Sequence, residues 1–102
     1  MSIKMLKIYI SEEAKYKGKT LYRVVVRKLH ELKMAGVTVT RGIEGYGSDN
    51  ILHTTSILDL SASLPIIIDV IDEEEKIKDI IPVIKEMVTK GRIILVDINV
   101  IQ

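Results

Sequence analysis

The stretch LPIIIDVIDEEEKIKDIIPVIKEM, residues 64–87, changes its hydrophobic period partway along. After Pro65, the residues from Ile66 to Ile71 are nearly all β-branched, as in a strand. Beyond Asp72 the apolar residues Ile77, Ile80, Ile81, Ile84 and Val88 recur at helical spacing. Asp72 suits an N-cap, and Glu73, Glu74 and Glu75 then fill the first turn, against the positive end of the helix dipole. Pro82 has no N–H for the Lys78 carbonyl, so a kink is expected there. Gly91 is expected to close this helix.

Working outward from that unit, Lys4–Ser11 alternates Leu6, Ile8 and Ile10 with Met5, Lys7 and Tyr9 and predicts the first strand. Ser11–Lys19 is polar and predicts a loop. A helix is predicted over Leu21–Ala35, with Thr20 as N-cap, a stripe of Leu21, Val25, Leu29 and Leu32, and Gly36 at the C′ position. Val37–Ile43 predicts the second strand, Ile51–Leu60 a hairpin arm, and Arg92–Ile101 the last strand. The order β-α-β-β-α-β implies an α+β, ferredoxin-like fold: a four-stranded antiparallel sheet with two helices on one face. Residues 1–102 are expected to form a single domain.

That arrangement leaves one sheet face without cover, yet the strands are apolar on both sides. The bare face is expected to carry Met5, Tyr9, Ile67, Ile71, Ile93 and Leu95, with Lys7, Asp69 and Asp97 as its charges. Burying each such apolar side chain contributes roughly 1.5–3 kcal/mol. Another subunit is therefore expected on this face, with Lys7 paired to Asp69 or Asp97.

Composition narrows the function. A net charge of +1, from 15 basic and 14 acidic residues, lacks the basic surface of a nucleic-acid binder. There is no cysteine for disulfide, thiolate or zinc chemistry. No uninterrupted apolar run opens the chain, and a cytoplasmic location is expected. His30 and His53 are the only histidines, and neither has a companion ligand set, so no metal site is expected. Ser48, Ser56, Ser61 and Ser63 lie in turn-like surroundings without a nucleophile elbow, so no catalytic residue is named and the chain is not expected to be an enzyme.

Two segments combine glycine with cations. In GVTVTRGIEGYG, Gly36–Gly47, closely spaced glycines let backbone amides approach an anion; the same residues equally suit an ordinary hairpin loop. Lys90-Gly91-Arg92 could clamp phosphate, or simply close a helix with a cap and favourable cations.

The runs GKTLYRVVVRKLHELKMAGVTVTRGIEGYG and LHTTSILDLSASLPIIIDVIDEEEKI resemble a prokaryotic family of small uncharacterised proteins classed as PII-like, over about Leu6 to Ile101. More distantly, the chain is similar to the nitrogen-regulatory PII proteins. The resemblance implies a cytoplasmic homotrimer that binds an adenine nucleotide (ADP, ATP or AMP) in clefts between subunits, with no covalent cofactor. It implies that Thr38 approaches the adenine, that Gly45 and Gly47 at the loop base and Gly91 admit phosphate, that Lys90 and Arg92 neutralise it, and that Arg41 and Tyr46 also belong to the nucleotide site. Residues 44–64 stand where the regulatory loop lies, with Ser56–Leu60 as its returning arm, and would contact a target protein, membrane-associated targets included. Three features depart from PII proteins: a shorter Lys90–Arg92 connection, no basic segment at the C-terminal end, and no tyrosine in the outer loop. The alternative is a structural or metal-tolerance trimer of the CutA type, without nucleotide.

Overall fold

Pairing register decides which side chains share a face, and it is continuous along all four long strands. The computed structural model describes residues 2–47, 50–54 and 63–102. Its elements are β1 (Ile3–Ser11), β2 (Lys15–Tyr16), β3 (Lys19–Thr20), α1 (Leu21–Glu31), β4 (Gly36–Arg41), β5 (Glu44–Gly45), β6 (His53–Thr54), β7 (Pro65–Glu73), α2 (Glu74–Met87) and β8 (Arg92–Asp97). β4, β7, β1 and β8 form one sheet in that order, every neighbouring pair antiparallel. This is the predicted ferredoxin-like α+β arrangement.

Leu6, Ile8 and Ile10 of β1 and Ile66, Ile68 and Val70 of β7 face the helices. There they meet Leu21, Val25 and Leu29 of α1 and Ile77, Ile80 and Ile84 of α2, all buried. Leu32, the last residue of the stripe expected for α1, lies past the helix end and is exposed, Ile81 of the α2 stripe is only half-buried, and Val88 is buried just past the end of α2. The core lies between the central strands and the two helices. Pro82 lies inside α2, as expected from sequence.

Several boundaries differ from expectation. The segment predicted as a loop contains the hairpin β2–β3, whose two-residue turn places Lys17 and Gly18 at positive φ. α1 ends at Glu31, well before Ala35. Lys33 takes the left-handed position at φ 57°, with Lys33 N–H bonded to His30 and Met34 N–H to Leu29, a Schellman closure. Gly36 instead opens β4, packed against Ile71. Thr20 is the N-cap of α1, without a side-chain cap bond.

Asp72 is not the N-cap of α2; Glu73 is. Asp72 is the last inward residue of β7 and is buried. Its Oδ2 accepts the Ala35 N–H at 2.8 Å and its Oδ1 accepts the Glu73 N–H at 2.7 Å. Lys76 pairs with it at 3.2 Å. Burial pushes this carboxyl's pKa up, but the two backbone N–H groups and Lys76 outweigh it, and the net result is a pKa below the usual carboxylate value.

The bare face also needs correction at β8, which ends at Asp97 and not at Ile101. Ile8 pairs with Ile93 and Leu6 with Leu95, so Ile93, Leu95 and Asp97 stand on the helix side. Ile94, Val96 and Arg92 are the outer residues, beside Lys7, Met5 and Tyr9. The segment IILV is apolar at every position, so its phase was invisible until the register was known. Lys7 does pair with Asp69, at 2.7 Å, while Asp97 bonds Lys4.

Candidate functional site

The glycine-basic segments sit where the sheet stops. Because β4 and β1 run parallel to each other and antiparallel to β7 and β8, the end of β4 and the start of β8 lie at the same end of the sheet. Thr40 pairs with Ile67, Ile67 with Tyr9 and Tyr9 with Arg92, a single row of outward side chains across the sheet. β4 and β8 are its two edges, three strand spacings apart, or about 14 Å. Within one subunit Thr38 and Arg41 therefore stand at one edge, Lys90 and Arg92 at the other.

At the β4 edge, Thr38 is exposed on the outer face opposite Asp69. Arg41 forks onto Glu12: Nη2 donates to Oε1 at 2.9 Å and Nε donates to Oε2. That pairing raises an already high guanidinium pKa. Glu12 escaped notice in the sequence because it lies 29 residues from its partner.

A second residue that sequence reasoning passed over is Gly42. A Cβ there would lie 2.7 Å from Pro65 Cγ, and its N–H bonds the Pro65 carbonyl at 2.7 Å. Only glycine lets the chain leave β4 so close to the proline. From there it enters a two-stranded ribbon in which Glu44 pairs with Thr54 and Gly45 with His53. Tyr46 and Gly47 follow, both exposed. The base of the expected regulatory loop is thus a β-ribbon. The expected returning arm, Ser56–Leu60, lies outside the described residues.

At the β8 edge α2 ends at Met87, and Gly91 closes the turn four residues later and not the helix itself. Gly91 has φ +147°, and a Cβ on it would lie 2.5 Å from the Tyr9 carbonyl oxygen. Any side chain there would force β1 and the turn apart. Lys90 and Arg92 flank it, both exposed. Neither has an ion-pair partner among the described residues.

Chemically, the two edges offer exposed cations, hydroxyl groups and glycine backbone. Among the described residues there is no group of three or more side chains able to hold a metal ion. No described helix is long and apolar enough to cross a membrane. His30 is exposed and His53 half-buried, the latter on the ribbon.

The family model described as "DUF190: Uncharacterized ACR, COG1993" matches residues 3–100. A UPF0166 protein of Aquifex aeolicus (strain VF5) is 38% identical over 98 residues, covering 96% of this chain and 92% of the relative. A UPF0166 protein of Methanocaldococcus jannaschii is 37% identical over 98 residues, covering 95% and 90%. A second Aquifex UPF0166 protein is 32% identical over 73 residues, 72% of this chain. The family match spans both sheet edges and both helices.

Proposed function

We propose that this chain, which belongs to the DUF190 family, is a PII-like regulatory protein: a homotrimer that binds an adenine nucleotide between subunits. The observation carrying this reading is the placement of its two glycine-basic segments at one end of the sheet but on opposite edges. Within one subunit the two central strands stand between these segments, so the two cannot close on one small ligand from opposite sides. In a ring, where each copy offers its β8 edge to the β4 edge of the next, every contact becomes a complete cleft.

The bare sheet face supports the assembly. Met5, Tyr9, Ile67, Ile71, Ile94 and Val96 project from it, interrupted by the Lys7–Asp69 pair. Covering this surface supplies hydrophobic free energy that a lone subunit leaves unused. In the cleft Thr38 would face the base, and the glycine backbone and Lys90 and Arg92 the phosphates. Arg41 is already engaged by Glu12, so its contribution requires that pair to open. Nucleotide contacts at the ribbon base, beside Gly45 and Tyr46, would then bias the 44–64 segment toward a protein target, since a ligand shifts a segment only through contacts made in one state and not the other.

Titration calorimetry of the intact protein with ATP, ADP and AMP, beside sedimentation velocity, tests this. Saturable binding of one nucleotide per subunit by a trimer is expected, weakened at least about tenfold by the Lys90→Ala/Arg92→Ala double variant. A folded trimer that binds none of the three at millimolar concentration sinks the nucleotide; a folded monomer at micromolar concentration sinks the cleft as well.

A further inference from the structure

Glu12, just past the end of β1, stands between the chain leaving β4 and the chain entering β7, the two ends of the 44–64 segment. On the outgoing side its carboxylate takes the fork of Arg41, Nη2 donating to Oε1 at 2.9 Å and Nε to Oε2. On the returning side its backbone N–H donates to the Leu64 carbonyl at 3.0 Å. The neighbouring hydroxyls of Ser11 and Ser63 bond each other, and Ser63 and Leu64 are buried. The carboxylate is therefore fixed from behind, at 28% exposure, while the guanidinium it holds is 58% exposed.

The position of Arg41 says what could replace that carboxylate. Thr38, the residue assigned to the base, precedes it by three residues, about 10 Å of strand. Arg41 therefore lies toward the end of the sheet where the next copy's Lys90 and Arg92 would meet the phosphates. It pairs with Ile66, in an inward row, whereas Thr38 stands on the outer face. A phosphate chain must turn over the end of β4 to reach it, which the phosphate next to the ribose does not do. A guanidinium takes a carboxylate or a phosphate with the same two parallel bonds. Glu12 thus fills the place that a terminal phosphate would take.

Resting on the nucleotide reading above, we infer that Glu12 is a specificity-determining residue: an anion of the chain itself that keeps Arg41 closed to mononucleotides and yields it to a nucleoside di- or triphosphate. An exposed ion pair is weakly held because water screens it, so a phosphate of higher charge displaces the carboxylate, while a ligand that does not reach Arg41 leaves the pair shut. The exchange needs no movement of β1, since the Glu12 N–H keeps its bond to Leu64 when the guanidinium leaves. What changes is the outgoing arm, which loses its tie to Glu12 and keeps the bond from the Gly42 N–H to Pro65 at 2.7 Å. The number of phosphates is then felt at the base of the 44–64 segment.

Calorimetry with ATP, ADP and AMP on the full chain and on Glu12→Gln, Arg41→Gln and the double variant tests this. Glutamine keeps the size and the backbone bond of Glu12 and removes its charge. Glu12→Gln should tighten ATP and ADP by about two- to fivefold, the worth of an exposed pair, and leave AMP unchanged. Arg41→Gln should weaken ATP and ADP, and adding Glu12→Gln to it should change nothing further. Should Glu12→Gln fail to fold, Arg41→Lys, which keeps the charge but not the fork, should lose affinity for ATP and not for AMP. Three results overturn the inference while the unmodified protein still binds nucleotide, so that the cleft stands: ATP binding unchanged or weakened by Glu12→Gln, equal tightening of AMP, or the same tightening without Arg41. Binding of none of the three nucleotides by any of the proteins ends the cleft reading, and this inference with it.

Discussion

Ile68 and Ile67 are neighbours in β7, identical in chemistry and opposite in fate. Ile68 is fully buried beneath both helices, whereas Ile67 is only half-buried on the open side. The contrast extends along the sheet. The helix side of the two central strands is apolar from Ile10 and Ile66 down to Leu6 and Val70; at its end Asp72, beside Lys4, accepts the Ala35 and Glu73 N–H groups. The outer side mixes Met5, Tyr9, Ile67 and Ile71 with an ion pair, Lys7 and Asp69, each a quarter exposed. Under the proposed trimer this face would be buried on assembly, its polar pair flanked by large apolar groups. The two faces thus share an alphabet, and the helices cover only one of them.

The sharpest test of that contrast is truncation on either side. Ile68→Ala should lower unfolding free energy by about 2–5 kcal/mol at any protein concentration, because the cavity lies inside one subunit. Ile67→Ala should cost less in dilute protein, and its cost should grow as protein concentration rises if the outer face is an interface. Equal, concentration-independent losses from urea melts of the two variants would erase the distinction between the faces.

Asp72 offers a smaller, pH-resolved test of the inner face. Its folded pKa lies below the unfolded value of 3.8. The carboxylate therefore stabilises the fold fully above the unfolded pKa, and that stability is lost as pH falls through the folded value. Asp72→Asn should remove about 1–3 kcal/mol at neutral pH and flatten the acid limb of the stability curve below pH about 4. An unchanged acid limb would mean that the Ala35, Glu73 and Lys76 contacts do not hold the charged form.

The smallest effect is expected at Lys7 and Asp69. A double-mutant cycle with Lys7→Met and Asp69→Leu should give a coupling of at most about 1 kcal/mol in dilute, dissociated protein. The coupling should be larger where a partner covers the pair and removes water from it. A coupling independent of protein concentration would leave the pair an ordinary surface contact.

Much of the architecture was legible in the residues. Spacing alone announced both helix stripes, because a helix buries every third or fourth side chain whatever else is present. The alternation of Leu6, Ile8 and Ile10 likewise marked the inner face of β1. The errors fell where local signals compete. Gly36 looked like a helix end, yet Lys33 supplied the left-handed residue three positions earlier, a conformation with a modest steric cost that tertiary contacts can impose. The Lys17-Gly18 turn was missed because one glycine among charged residues carries little pattern. Of the candidate site, both glycine-basic segments were visible as motifs. Their separation was not, because it follows from strand order and not from spacing along the chain.

By itself the sequence determined the class of fold, since period two and period 3.6 are properties of a single segment and need no partner to be seen. It also determined that the strands are apolar on both sides. Only the tertiary structure decided which apolar residues of β8 face outward, what Arg41 and Asp72 bind, and that the two basic edges stand about 14 Å apart. Register and strand order are relations between distant segments, fixed by how two backbones pair, and no run of residues encodes them locally.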